Sequence, residues 1–94
     1  MLIIEELEID DHILEKIEVR HGITFDEVEE ACYWEKRHVR KGREGLYKLF
    51  SQTDSGRYLL VVLSHHGGGT WKIVTARGMT DNEKRLYIRE TGGK

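Results

Sequence analysis

The spacing of apolar positions changes several times along the chain. "LIIEELEI", Leu2 to Ile9, reads as a short strand or extended lead-in. Asp11 then caps a helix on which Ile13, Leu14 and Ile17 recur at helical intervals. Gly22, just after His21, suits the left-handed position that ends a helix. Thr24 and Glu27 next form the two halves of a capping box, with Ile23 and Val28 at the staple positions around it. Phe25, Val28, Ala31 and Cys32 share one face, while Asp26, Glu27, Glu29 and Glu30 fall mostly outside it. This second helix is therefore acidic and amphipathic.

From Glu35 to Gly45 the chain, "EKRHVRKGREG", is basic and reads as irregular. Strand-like runs follow at Leu46 to Ser51, Arg57 to Ser64 and Thr70 to Arg77. "RYLLVVLS" is too continuously apolar for a strand wetted on one face, so it belongs at the centre of the sheet. The connections "QTDSG" and "HHGGG" are short and rich in turn formers, which predicts an antiparallel meander. Thr80 and Glu83 repeat the capping box, so a last helix runs to about Arg89, and residues 91–94 are expected to fray. The expected fold is one α+β domain over 1–94. It has two N-terminal helices, a three-stranded or four-stranded antiparallel meander, and a C-terminal helix.

Composition limits the possibilities. A 94-residue chain supports one modest core. No stretch approaches the ~20 apolar residues that span a bilayer, so no membrane partner is expected. The acidic start "MLIIEELEIDD" lacks the basic flank of an export signal, and the single Cys32 excludes an internal disulfide. Both point to the cytoplasm. Cys32, on an apolar helix face, reads as a small core residue. Charge is divided along the chain: residues 1–36 carry 12 acids and 3 bases, residues 37–94 carry 5 acids and 12 bases. Such a split favours a polyanionic or acidic partner for the second half, or mutual neutralisation of the halves on folding.

The chemistry concentrates near the end of the chain. Arg77 closes a strand just before a helix start, where its planar guanidinium and the free helix amides near Thr80 suit phosphate oxygens. Lys84 and Arg85 extend a basic stripe along the helix. Tyr87, four residues after Glu83, has a phenol able to bond a phosphate or move a proton, and a ring able to stack a base. The competing structural reading pairs Arg77 with a carboxylate of the acidic early helices and packs Tyr87 in the core. His21, His65 and His66 lack the spacing of a metal site, so neither metal nor cofactor is expected. "HHGGGT" lacks the phosphate-loop pattern and joins two strands.

"RHGITFDEVEEA", the basic segment, "GRYLLVV" and "WKIVTARGMTDNEKRLY" occur in the order found in the BrnT-type toxins of the RelE-like ribonuclease superfamily, which this chain resembles over about residues 12 to 90. The matching positions are Arg20, His21, Gly22, Thr24 and Phe25, then Arg43 as the nearest candidate for a strand arginine. They continue with Lys72, Ile73, Val74, Thr75, Ala76 and Arg77, and end with Glu83 and Tyr87. The resemblance implies a metal-independent endoribonuclease that cuts messenger RNA, commonly on the ribosome, and is silenced by a cognate antitoxin. In such an enzyme the RNA 2′-hydroxyl attacks its own phosphate. Arg77, Lys72 and Arg43 would stabilise the phosphate, Tyr87 or His21 would move a proton, and Lys84, Arg85 and Arg20 would hold RNA. Ile17 stands where the family usually has asparagine, and Lys72 where it has arginine. These departures favour the alternative: a non-catalytic module that binds RNA or an antitoxin. The apolar, acidic first half offers helices for a homodimer or a partner.

Overall fold

The computed structural model describes residues 3–92. Its elements are β1 (Glu6–Glu8), α1 (Asp11–His21), α2 (Phe25–Tyr33), β2 (His38–Lys41), β3 (Leu46–Gln52), β4 (Tyr58–His65), β5 (Thr70–Gly78) and α3 (Asp81–Thr91). The five strands form one sheet in the order β1-β5-β4-β3-β2. β2 to β5 make the antiparallel meander, whereas β1 pairs with β5 in parallel. The sheet is thus mixed and larger than the expected three-stranded or four-stranded antiparallel one.

Both additional strands are edge strands: β1 falls within the run read as a short strand or extended lead-in, whereas the apolar pattern misses β2. An edge strand needs only one covered face and is commonly protected by charge. In β2, "HVRK", Val39 sits opposite Leu49 over the core while Arg40 and Lys41 are exposed. The segment read as irregular is therefore half of a hairpin. β1 is held by bonds around it: the Glu5 and Glu6 amides donate to Gly69 O at 2.8 and 3.1 Å, and the Trp71 indole donates to Ile3 O at 2.9 Å.

Both capping boxes form. Thr24 Oγ1 accepts from the Glu27 amide at 3.2 Å and Glu27 Oε1 from the Thr24 amide at 3.0 Å. Thr80 and Glu83 repeat this at 3.2 and 2.8 Å. α1 is preceded by Asp10 in the cap position, not Asp11, and no side chain caps it. It ends at Gly22, whose φ of 62° is left-handed. α3 does not fray at residue 91: the Thr91 hydroxyl donates to Tyr87 O at 2.7 Å, and Gly92 forms the C-cap. Leu2 and residues 93–94, parts of the expected lead-in and tail, lie outside the described residues. No helix among those described is long and apolar enough to cross a membrane.

The helices cover the sheet unequally. On one face Leu49, Leu59, Val61, Leu63 and Ile73 meet Ile17 of α1 and Val28, Ala31 and Cys32 of α2 in the main core. Each fully buried aliphatic side chain there contributes roughly 1.5–3 kcal/mol. On the other face α3 makes a smaller core, where Tyr87 and Met79 meet Phe50 and Leu60. Register divides this second face into rows. His38, Phe50, Leu60 and Arg77 lie across β2 to β5, and Arg40, Lys48, Val62 and Thr75 form the next row. A bulge at β4–β5 pairs Ile73 with Leu63 and Thr75 with Val62, leaving Val74 over. Without that extra residue, Lys72 and Arg77 would face opposite sides of β5; with it, both lie on the α3 side.

Candidate functional site

The residues singled out in sequence do not converge on one accessible point. The Arg77 guanidinium donates to Glu83 through two parallel bonds of 2.8 Å each. A third bond, of 3.0 Å, reaches Gly78 O. Arg77, helped by the Thr80 amide, holds the Glu83 carboxyl down at about 2, and the same pair raises the Arg77 pKa. Arg77 thus clasps the start of α3 to the end of β5. Its carboxylate comes from α3, although the competing sequence reading placed it on the acidic early helices. Lys72 is paired with Asp10 at 3.1 Å.

Tyr87 is fully buried, edge-on to Tyr58 with ring centroids 5.9 Å apart, and its hydroxyl donates to Gln52 Oε1 at 3.5 Å. Burial pushes its phenol up. Arg43 is not in a strand but in the 3₁₀ turn Arg43–Gly45 joining β2 to β3. His21 and Arg20 end α1, which packs on the face opposite α3, and they line a 210 Å³ cleft with Lys16, Val74 and Thr75. Arg85 bonds Asn82 Oδ1 at 2.6 Å. Lys84 Nζ stands 5.8 Å from the centroid of the Tyr58 ring. Cys32 is buried and its thiol is pushed up to about 12 by desolvation, which suits a packing role. Among the described residues, no three His, Cys, Asp or Glu side chains are grouped to hold a metal ion.

What the sheet does bring together was not singled out in the sequence. Arg40 and Lys48 are directly opposite on β2 and β3, both exposed, on the face α3 leaves uncovered. Like charges in that position repel. Lys48 has no ion-pair partner among the described residues, and Arg40 donates through Nε to His38 Nε2 at 3.1 Å rather than to a carboxylate. The signal was present in "HVRK": read as an edge strand, its two-residue period puts His38 and Arg40 on one side. Arg57, also unremarked, is structural. It donates to His21 O at 2.8 Å, Gly22 O at 2.9 Å and Glu27 at 3.2 Å, fastening β4 to the end of α1.

No family model matches the sequence, and no curated protein does. Among solved structures, the fold matches the crystal structure of the Brucella abortus ribonuclease toxin BrnT with a TM-score of 0.68. The match covers 81% of this chain and 97% of that one, at 12% sequence identity. Such a likeness concerns the backbone: three helices and a five-stranded mixed sheet give this chain a BrnT-like fold.

Proposed function

We propose that this chain is a toxin-type endoribonuclease whose RNA substrate lies on the uncovered part of the α3 face. The observation that supports it is the Arg40–Lys48 pair: two exposed cations held side by side by strand pairing with no carboxylate between them. A phosphate between them relieves the repulsion, and the guanidinium fork adds bidentate bonds. The fold shared with a ribonuclease toxin makes RNA the polyanion of choice. Cleavage by attack of the RNA's own 2′-hydroxyl needs positioning and stabilisation of developing charge, which fixed cations supply without a metal. An antitoxin protein covering the same face would silence the enzyme in the cytoplasm. Arg77 and Lys72 then act at second hand, fixing α3 and α1 against β5.

The test is incubation of the purified chain with single-stranded messenger-like RNA in chelator. Wild type is expected to cut, leaving 2′,3′-cyclic phosphate ends. Arg40→Ala with Lys48→Ala should abolish cutting and lower the salt slope of binding by roughly 1.4, at about 0.7 per phosphate contact. A second reading, binding without cleavage, is favoured by one observation: Arg77 and Lys72 are committed to ion pairs and Tyr87 is buried. Salt-dependent binding of RNA that stays intact would select it. Neither binding nor cleavage would overturn both.

A further inference from the structure

His38 precedes Arg40 by two positions on β2, so both side chains leave the same side of the strand. Its ring is half-buried and tilted against Phe50, with centroids 5.9 Å apart, at the border between the row under α3 and the open row of cations. Arg40 Nε donates to His38 Nε2 at 3.1 Å. Arginine has no acceptor, so this bond requires a lone pair on Nε2 and places the ring proton on Nδ1. The charged groups facing the ring are Arg40 on its own strand and Glu90 on α3. Burial lowers the imidazole pKa, Glu90 opposes that, and Arg40 adds to it, so the neutral ring is favoured.

The other histidines are placed differently. His21 ends α1 and lines a cleft with Thr75 of β5, three strands away from His38 on β2, and His12 is exposed on the same helix. His65 stacks on Trp71 with centroids 4.5 Å apart, and His66 bonds Ser64 Oγ at 3.1 Å in the turn beyond β4.

Resting on the open face as an RNA-cleaving site, we propose that His38 is the catalytic base, masked by Arg40 until a phosphate draws the guanidinium onto itself. The freed Nε2 takes the proton of the neighbouring ribose 2′-hydroxyl. The 2′-oxygen bonds to phosphorus, the bond from phosphorus to the 5′-oxygen breaks, and the leaving oxygen takes a proton from water. The imidazolium returns its proton to solvent, so the products are a 2′,3′-cyclic phosphate and a 5′-hydroxyl. Arg40 serves twice in this scheme, as anchor for the phosphate and as guard of the base.

The experiment compares single-turnover cleavage of a single-stranded RNA oligonucleotide by wild type, His38→Ala and His38→Gln from acid to neutral pH. RNA affinity and melting are followed alongside. A base works deprotonated, so wild-type cleavage should be lost as pH falls through an apparent pKa below the ordinary histidine value. Both variants should bind RNA as wild type does and cut roughly 10²–10⁴-fold more slowly, without that step. Added imidazole should restore part of the rate to His38→Ala, and His12→Ala should behave as wild type. His38→Gln keeps most of the side-chain volume, so it decides the matter if the alanine variant folds poorly. A folded variant that keeps the pH step, whatever its rate, makes His38 a positioning residue and overturns the proposal while the nuclease reading stands. RNA left intact by folded wild type overturns the nuclease reading and this inference with it.

Discussion

Two pairs on the same sheet face show how differently cations are used in this small domain. Arg77 meets Glu83 in a bidentate pair at 2.8 Å that also closes the capping box of α3. Arg40 meets Lys48, a like charge, across a strand pair with open solvent beyond. The first pair is satisfied by the fold, and removing either partner leaves its fellow uncompensated. The second pair is tolerated by the fold, and at the proposed site an RNA phosphate is what satisfies it. A cation named by motif can be structural, and a cation that no motif names can be the one left free to bind.

The largest test of this contrast concerns Tyr87, on the buried side of the helix that Arg77 clasps. As a fully buried ring it should be costly to truncate: Tyr87→Ala is expected to lose about 3–5 kcal/mol in denaturant unfolding. Tyr87→Phe gives up the phenol's hydrogen bonding, including a long bond of 3.5 Å to Gln52, and should cost about 1 kcal/mol while keeping RNA cleavage. A stable Tyr87→Phe protein without cleavage would return the phenol to the chemistry and break the division drawn here.

Next in size is the clasp itself. Glu83 is held at about 2 against an ordinary 4.5, so its contribution is complete above the ordinary value and is lost as pH falls from about 4.5 towards 2. Arg77 keeps 39% of its side-chain exposure, so solvent screening limits the pair to about 1–2 kcal/mol. Melting followed from pH 7 to 3 should show this loss in wild type. Arg77→Ala should show a lower, flatter stability over the same range. An Arg77→Ala protein as stable as wild type and dead towards RNA would make Arg77 the free cation after all.

Much of the fold was legible in the sequence because it rests on strong local signals. Thr24 with Glu27 and Thr80 with Glu83 mark two helix starts, Gly22 marks a stop, and "RYLLVVLS" marks the central strand. Of the two sheet edges, β1 was legible as the short strand or lead-in at Leu2 to Ile9, but its parallel pairing with β5 was not, and β2 was not legible at all. β2 and β1 are short, charged and half-wetted, so their pattern is set by pairing rather than by alternation. The site failed to appear for the same reason, since Arg40 and His38 lie on the missed strand. The bulge at Val74 hid a further relation, because no period in "WKIVTARG" says that Lys72 and Arg77 share a face. The burial of Tyr87 was legible only as one of two options, since a single aromatic at helical spacing fits a core as well as a stack.

The smallest effect gives the sharpest separation between the two pairs. Lys48→Glu turns a like-charge cross-strand pair into an opposite-charge one, which should raise stability by roughly 0.2–1 kcal/mol. At the proposed site the same change removes one phosphate contact, adds a repulsive charge, and engages Arg40 with a carboxylate. RNA cleavage should therefore disappear as the melting temperature rises. Swapping both residues, Arg40→Glu with Lys48→Arg, keeps an opposite-charge pair but moves the guanidinium away from His38; it too should be stable and inactive. Cleavage surviving in a stabilised Lys48→Glu protein would mean that the unpartnered cations are only a tolerated repulsion, and the RNA would have to be sought elsewhere on the surface. Loss of cleavage with gain of stability is what a pair left unsatisfied for a ligand must show.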